Sequence, residues 1–77
     1  MPAAYILVTV DLGKVKNVIE MIRSIKGITE TYSLYGVYDI IAKVESEDIE
    51  DIKEIIRTVR RFDGIRATTT MIITHLD

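Results

Sequence analysis

The sequence predicts an α+β fold of the ferredoxin-like kind, with elements in the order β-α-β-β-α-β. Three observations lead there. Two stretches carry isoleucine and valine at helical spacing, and four others are rich in β-branched and aromatic residues. Each of the four glycines stands alone between elements. Two crossovers in 77 residues fit a four-stranded antiparallel sheet with both helices on one face. A chain of this length is one domain, residues 1–77, with no room for a second.

The first strand is expected over residues 3–12, AAYILVTVDL, where β-branched and aromatic residues dominate. Residues 13–27 then place Val15, Val18, Ile19, Ile22 and Ile25 on one helical stripe. Gly13 opens this helix and Gly27 closes it at a left-handed stop. Residues 28–35 alternate, with Ile28, Glu30, Tyr32 and Leu34 on one side. After Gly36, VYDIIAKVE forms a third strand, and the short gap makes a hairpin.

The second helix is expected to begin at a Ser46 cap, with Ile49, Ile52, Ile55, Ile56, Val59 and Phe62 as its apolar stripe. Glu47, Asp48, Glu50 and Asp51 load its first turns, while Arg57, Arg60 and Arg61 load its last. That polarity complements the helix dipole and explains both charge runs without a metal or a phosphate. Asp63 and Gly64 turn the chain into a fourth strand, IRATTTMIITHL.

Hydrophobic residues make up 48% of the chain, with 14 isoleucines, one asparagine and no glutamine. With 29% charged residues, this balance is of the kind found in heat-adapted proteins. The lack of cysteine excludes disulfides and thiolate chemistry. The early apolar run stops at Asp11, too short for a signal peptide or a membrane span, so a soluble, cytoplasmic protein with no membrane partner is expected. A net charge of −2 argues against direct nucleic-acid binding.

Helices cover one side of such a sheet only, and the other side is not polar. Tyr5 and Leu7, Ile41, and Met71 and Ile73 fall on the face opposite Ile6, Val8, Val10, Ile40, Ala42, Val44 and Ile72. An uncovered apolar face of this size marks a partner site, and a second copy of the chain is the simplest partner.

Catalytic groups are sparse. His75 stands alone on the last strand, and Ser24, Ser33 and Ser46 have no histidine near them in sequence. No glycine cluster could cradle a phosphate. Glu47 and Asp51 lie one helical turn apart, but two carboxylates without histidine make a poor transition-metal site. The chain is therefore expected to be no enzyme and to carry no cofactor. What remains is a small set: Gly36 frees the backbone at the hairpin, Asp39 offers a carboxylate, and Thr68, Thr69 and Thr70 open the last strand. Asp39 could pair with an amine, while free amides near Gly36 and threonine hydroxyls could hold a carboxylate. On the residues alone, Asp39 could equally cap the hairpin.

Together these segments resemble the effector domain of Lrp/AsnC-family regulators, also called the RAM module, over essentially the whole chain. The most specific match is YGVYDIIAKV, a glycine, one residue, Tyr-Asp and an apolar strand; TTTMII in the last strand is the second. The resemblance implies the same βαββαβ fold, paired through its sheets into dimers that assemble into rings, commonly octamers. It implies an amino-acid effector held where dimers meet, by Leu34, Tyr35, Gly36, Tyr38 and Asp39, with Thr68, Thr69 and Thr70 contributing. Asp39 would then be kept for the ligand's ammonium group rather than for the fold.

Family regulators carry a helix-turn-helix domain ahead of this module, whereas this sequence starts at the first strand. A stand-alone effector module is expected, acting through a full-length Lrp/AsnC-type regulator or another partner and not through DNA. Two readings of other classes compete: an oligomerisation adaptor without ligand, and a small dimeric α+β barrel enzyme holding substrate between helices and sheet.

Overall fold

The computed structural model of the chain describes residues 2–74, so the reading of His75 falls outside the described residues. Four strands and two helices follow one another as β1 (Ala3–Val10), α1 (Val15–Arg23), β2 (Ile28–Ser33), β3 (Ile40–Glu45), α2 (Ile49–Arg60) and β4 (Ile65–Ile73). The sheet order is β2-β3-β1-β4, with every neighbouring pair antiparallel. This is the expected ferredoxin-like arrangement.

Strand period and helix period converge on one core. Alternate residues of β1 (Ala4, Ile6, Val8, Val10) and of β3 (Ile40, Ala42, Val44) are buried beneath the helices. Val18, Ile19 and Ile22 of α1 and Ile52, Ile56 and Val59 of α2 close over them. Each fully buried isoleucine of this set contributes about 1.5–3 kcal/mol. Every buried residue among those described is apolar, so the helix–sheet space is filled by hydrocarbon and not shaped as a polar cavity.

Several boundaries move, each for a local reason. β1 ends at Val10 because the Asp11 N–H leaves the ladder to donate to the Gly64 carbonyl at 2.8 Å. The first helix spans Val15–Arg23 rather than 13–27 and is capped at Ser24, so Gly27 is not its stop. Gly27 instead belongs to the turn into β2, where its φ of +105° is accessible chiefly to glycine. β3 begins at Ile40, not at Val37, and β4 ends at Ile73, one residue before Thr74.

The expected alternation of Ile28 with Glu30, Tyr32 and Leu34 fails in its first and last members. A register shift between Ile28 and Glu30 turns Ile28 toward the helices, opposite Val44, while Tyr32 faces Ile41. Leu34 lies beyond the strand. The second helix is capped by Asp48, not Ser46: the Asp48 carboxylate accepts the Glu50 N–H at 3.0 Å. Ser46 supports the cap from outside, donating its hydroxyl hydrogen to Asp51 at 2.9 Å. Acids in the first turn and Arg57 and Arg60 in the last follow the dipole as expected.

Candidate functional site

The sheet presents its other side without helices. Register places Leu7 between Ile41 and Thr69, Tyr5 between Lys43 and Met71, and Ala3 between Glu45 and Ile73. Tyr32 adds a further apolar body from β2, opposite Ile41. One corner of this face is ionic, which apolar counting had missed. Lys43 lies 3.5 Å from Glu45, 3.9 Å from Glu30 and 5.8 Å above the Tyr5 ring, and Tyr32 donates its hydroxyl hydrogen to Glu30 at 2.9 Å. The alternation of Tyr5, Lys43 and Glu30 across three strands carried this signal.

At the end of the sheet where β1 finishes and β3 begins, the six-residue connection 34–39 turns the chain between β2 and β3. It is closed by the Leu34 N–H donating to the Asp39 carbonyl at 2.8 Å, and the Asp39 N–H donates to the Val8 carbonyl at 2.8 Å. Gly36 has φ +151° with no atom within 4 Å of where a Cβ would stand, so glycine is required there by conformation and not by crowding.

The Asp39 carboxylate accepts the Val10 backbone N–H at 2.7 Å through Oδ2. A side chain thereby takes over where the β1–β3 ladder stops, which satisfies an otherwise orphaned strand donor. The expectation that Asp39 is kept for a ligand rather than for the fold is corrected in its second half: this contact gives the carboxylate a part in the fold through Oδ2, with Oδ1 free of other described groups. Among the described residues, the backbone N–H groups of Tyr35, Gly36, Val37 and Tyr38 reach no protein acceptor. Free donors and a carboxylate thus share one short connection.

The three threonines separate. Thr69 stands on the open side of the sheet, opposite Leu7, with its hydroxyl 3.2 Å from the Tyr38 hydroxyl. Tyr38 therefore ties the connection to β4 across β1. Thr68 and Thr70 face the helices, opposite Val8 and Ile6. The Arg60 guanidinium donates to the Thr68 hydroxyl at 3.0 Å, and the Thr70 Oγ1 is buried without a partner. Of the predicted set, Tyr38 and Thr69 meet on the open side of the sheet and Asp39 shares the short connection with Tyr38 and the amides around Gly36, while Thr68 and Thr70 point to the other side of the sheet. Leu34, Tyr35 and Val37 are exposed beside them.

Two surface grooves of about 590 and 670 Å³ lie elsewhere, one along α1 at Lys14 and Asp63, the other between Lys26 and α2. Among the described residues no cluster of acids or histidine could hold a metal ion. No helix of the described residues is long and apolar enough to cross a membrane.

The family described as the Lrp/AsnC ligand binding domain matches residues 3–75. The chain belongs to this family. Among solved structures, FFRP-DM1 is 35% identical at a TM-score of 0.90, covering 95% of this chain and 99% of its own. PHS023 from Pyrococcus horikoshii is 34% identical at a TM-score of 0.90, covering 99% and 93%. The Lrp/AsnC fold also superposes on E. coli AsnC, at 22% identity and a TM-score of 0.86, covering 97% of this chain and 52% of that one. The same fold occurs in the siroheme decarboxylase NirDL, solved with an iron-uroporphyrin III analogue, at 19% identity and a TM-score of 0.85, covering 96% and 26%. Comparison with curated protein sequences gave no match.

Proposed function

We propose that this Lrp/AsnC domain is an effector-sensing module that binds a free amino acid at the 34–39 connection and works as an oligomer built on the open sheet face. The observation that carries the reading is that an acceptor and several free donors share one short connection. The Asp39 carboxylate suits an ammonium group, and the unengaged amides of residues 35–38 suit a carboxylate. An α-amino acid carries both groups on one carbon. The Tyr38 and Thr69 hydroxyls offer further polar contacts on the side of the open face.

The connection is too exposed to enclose a ligand alone, with Tyr35 at 108% relative exposure. A second copy would close the site, as the family resemblance implies, and rings of dimers are one way to arrange it. The open sheet face supports association independently. On that face Tyr32 and Met71 are exposed and Tyr5, Leu7 and Ile41 are only half-buried, an apolar surface that a second copy would cover. Regulation through a full-length Lrp/AsnC protein would use the same surfaces.

A thermal-shift screen with the twenty amino acids, followed by titration calorimetry of each hit, tests the reading. A specific ligand raises the melting temperature by mass action, by about 2.7 kcal/mol of stabilisation at a hundredfold excess over its Kd. Leucinamide and N-acetylleucine, each lacking one of the two charged groups, should bind more weakly than leucine. Absence of any shift at millimolar concentration would defeat the proposal.

A further inference from the structure

The chemistry around the connection narrows the ligand. Between Ser33 and Ile40 the chain reads Leu34, Tyr35, Gly36, Val37, Tyr38, Asp39, and Asp39 is its one charged side chain. Val37 is 86% exposed, Leu34 is 38% exposed, and Leu12, just past β1 at the same end of the sheet, is fully exposed. Nearby charges are engaged with one another: Arg66 lies 3.9 Å from Asp11, and Lys14 lies 2.7 Å from Asp63. A ligand anchored at Asp39 would thus meet exposed hydrocarbon on the connection itself, which offers no second charge of its own.

Resting on the amino-acid reading, we infer that the ligand's side chain is uncharged and apolar, and that Val37 and Leu34 form part of the wall that selects it. Burying a charged side chain beside these residues would leave it unpaired, and such burial is strongly unfavourable. Burying methylenes there removes apolar surface of ligand and protein together. The Asp39 carboxylate and the backbone amides hold what all amino acids share, and the exposed aliphatic side chains discriminate among them. A peptide is a poorer fit, because its first residue has no free carboxylate for the amides of residues 35–38.

A homologous series isolates the selecting wall. Titration calorimetry with alanine, 2-aminobutyrate, norvaline and norleucine should show Kd tightening by about fourfold for each added methylene. Aspartate, glutamate, lysine and arginine should bind at least tenfold more weakly than norleucine. Val37→Ser should flatten the series while leaving the melting temperature of the ligand-free protein unchanged. Asp39→Asn should weaken every member by a similar factor and keep the slope. Binding that is independent of chain length, or a charged amino acid that outcompetes norleucine, overturns this inference and leaves the amino-acid module standing. No binding by any of the twenty amino acids overturns both.

Discussion

Asp39 holds the backbone of Val10: its Oδ2 accepts that N–H at 2.7 Å across the gap where β3 has not yet begun. One carboxylate therefore ends the β1–β3 ladder and fixes the connection that bears the candidate site. Fold and ligand chemistry meet in a single side chain, and substitutions can separate them.

Asp39→Asn retains a carbonyl oxygen able to accept from Val10, so its cost in stability should stay below about 1 kcal/mol. It removes the negative charge, so amino-acid affinity should fall by roughly ten- to a hundredfold, the worth of a charge-assisted hydrogen bond. Asp39→Ala leaves the Val10 N–H without its partner and should lose about 1–2 kcal/mol in urea unfolding, as well as the affinity. Equal affinity in wild type and Asp39→Asn would assign the residue to structure alone.

Thr70 makes the opposite case. Its Oγ1 is buried on the helix side, opposite Ile6, without a hydrogen-bond partner. Thr70→Val keeps the shape and deletes the unsatisfied hydroxyl, so it should stabilise by about 1 kcal/mol, raising the melting temperature by roughly 4–8 °C. Ligand affinity should not change, because the side chain faces away from Tyr38 and Asp39. A destabilised Thr70→Val would mean that an ordered water satisfies the hydroxyl.

How far the residues spoke in advance depends on the range of the interaction. Both isoleucine stripes and the alternation in β1 and β3 were readable, because burial repeats with the period of each element. The Thr29 bulge was not: Ile28, Glu30 and Tyr32 alternate well as a string, and only pairing with β3 turns Ile28 inward. The cap on α2 was misplaced by two residues because Ser46 and Asp48 both suit the position, and the backbone chooses Asp48. At the site, Asp39 was visible as an acid at a strand mouth, but its Val10 partner lies 29 residues away in sequence. Thr68, Thr69 and Thr70 look equivalent until the register with β1 assigns them alternate faces.

The Lys14–Asp63 pair should make stability sensitive to acid. A hydrogen bond from Lys14, reinforced by its charge, holds the Asp63 carboxyl below its usual 3.8, and the same contact holds the Lys14 amine above its usual 10.5. A lowered acid pKa favours the folded state above about pH 4, and that contribution disappears as pH falls through the folded value. The raised lysine keeps its contribution up to its ordinary value and loses it only above that, so neutral pH lies inside the plateau. Thermal melts of wild type and Asp63→Asn should differ slightly at pH 6, since both side chains are exposed, and converge by pH 2. A gap that is constant from pH 6 to pH 2 would show that the pair adds nothing.

Leu7 is the most direct probe of the open face. It sits on the inner strand β1, flanked by Ile41 and Thr69, and remains partly exposed in the single chain. If a second copy covers this face, Leu7→Asp places an unpaired carboxylate in the contact, which costs several kcal/mol. That is comparable to the whole stability of a small domain, so the variant should dissociate, and it should unfold at lower temperature if the monomer is not stable alone. Lys16→Asp, on the exposed side of α1, brings the same side chain to a surface away from the sheet and serves as the control. Light scattering should give an oligomer for wild type and for Lys16→Asp, and a monomer or unfolded chain for Leu7→Asp. An unchanged oligomer in Leu7→Asp would move the interface off the open face, and a folded wild-type monomer at micromolar concentration would remove the interface altogether.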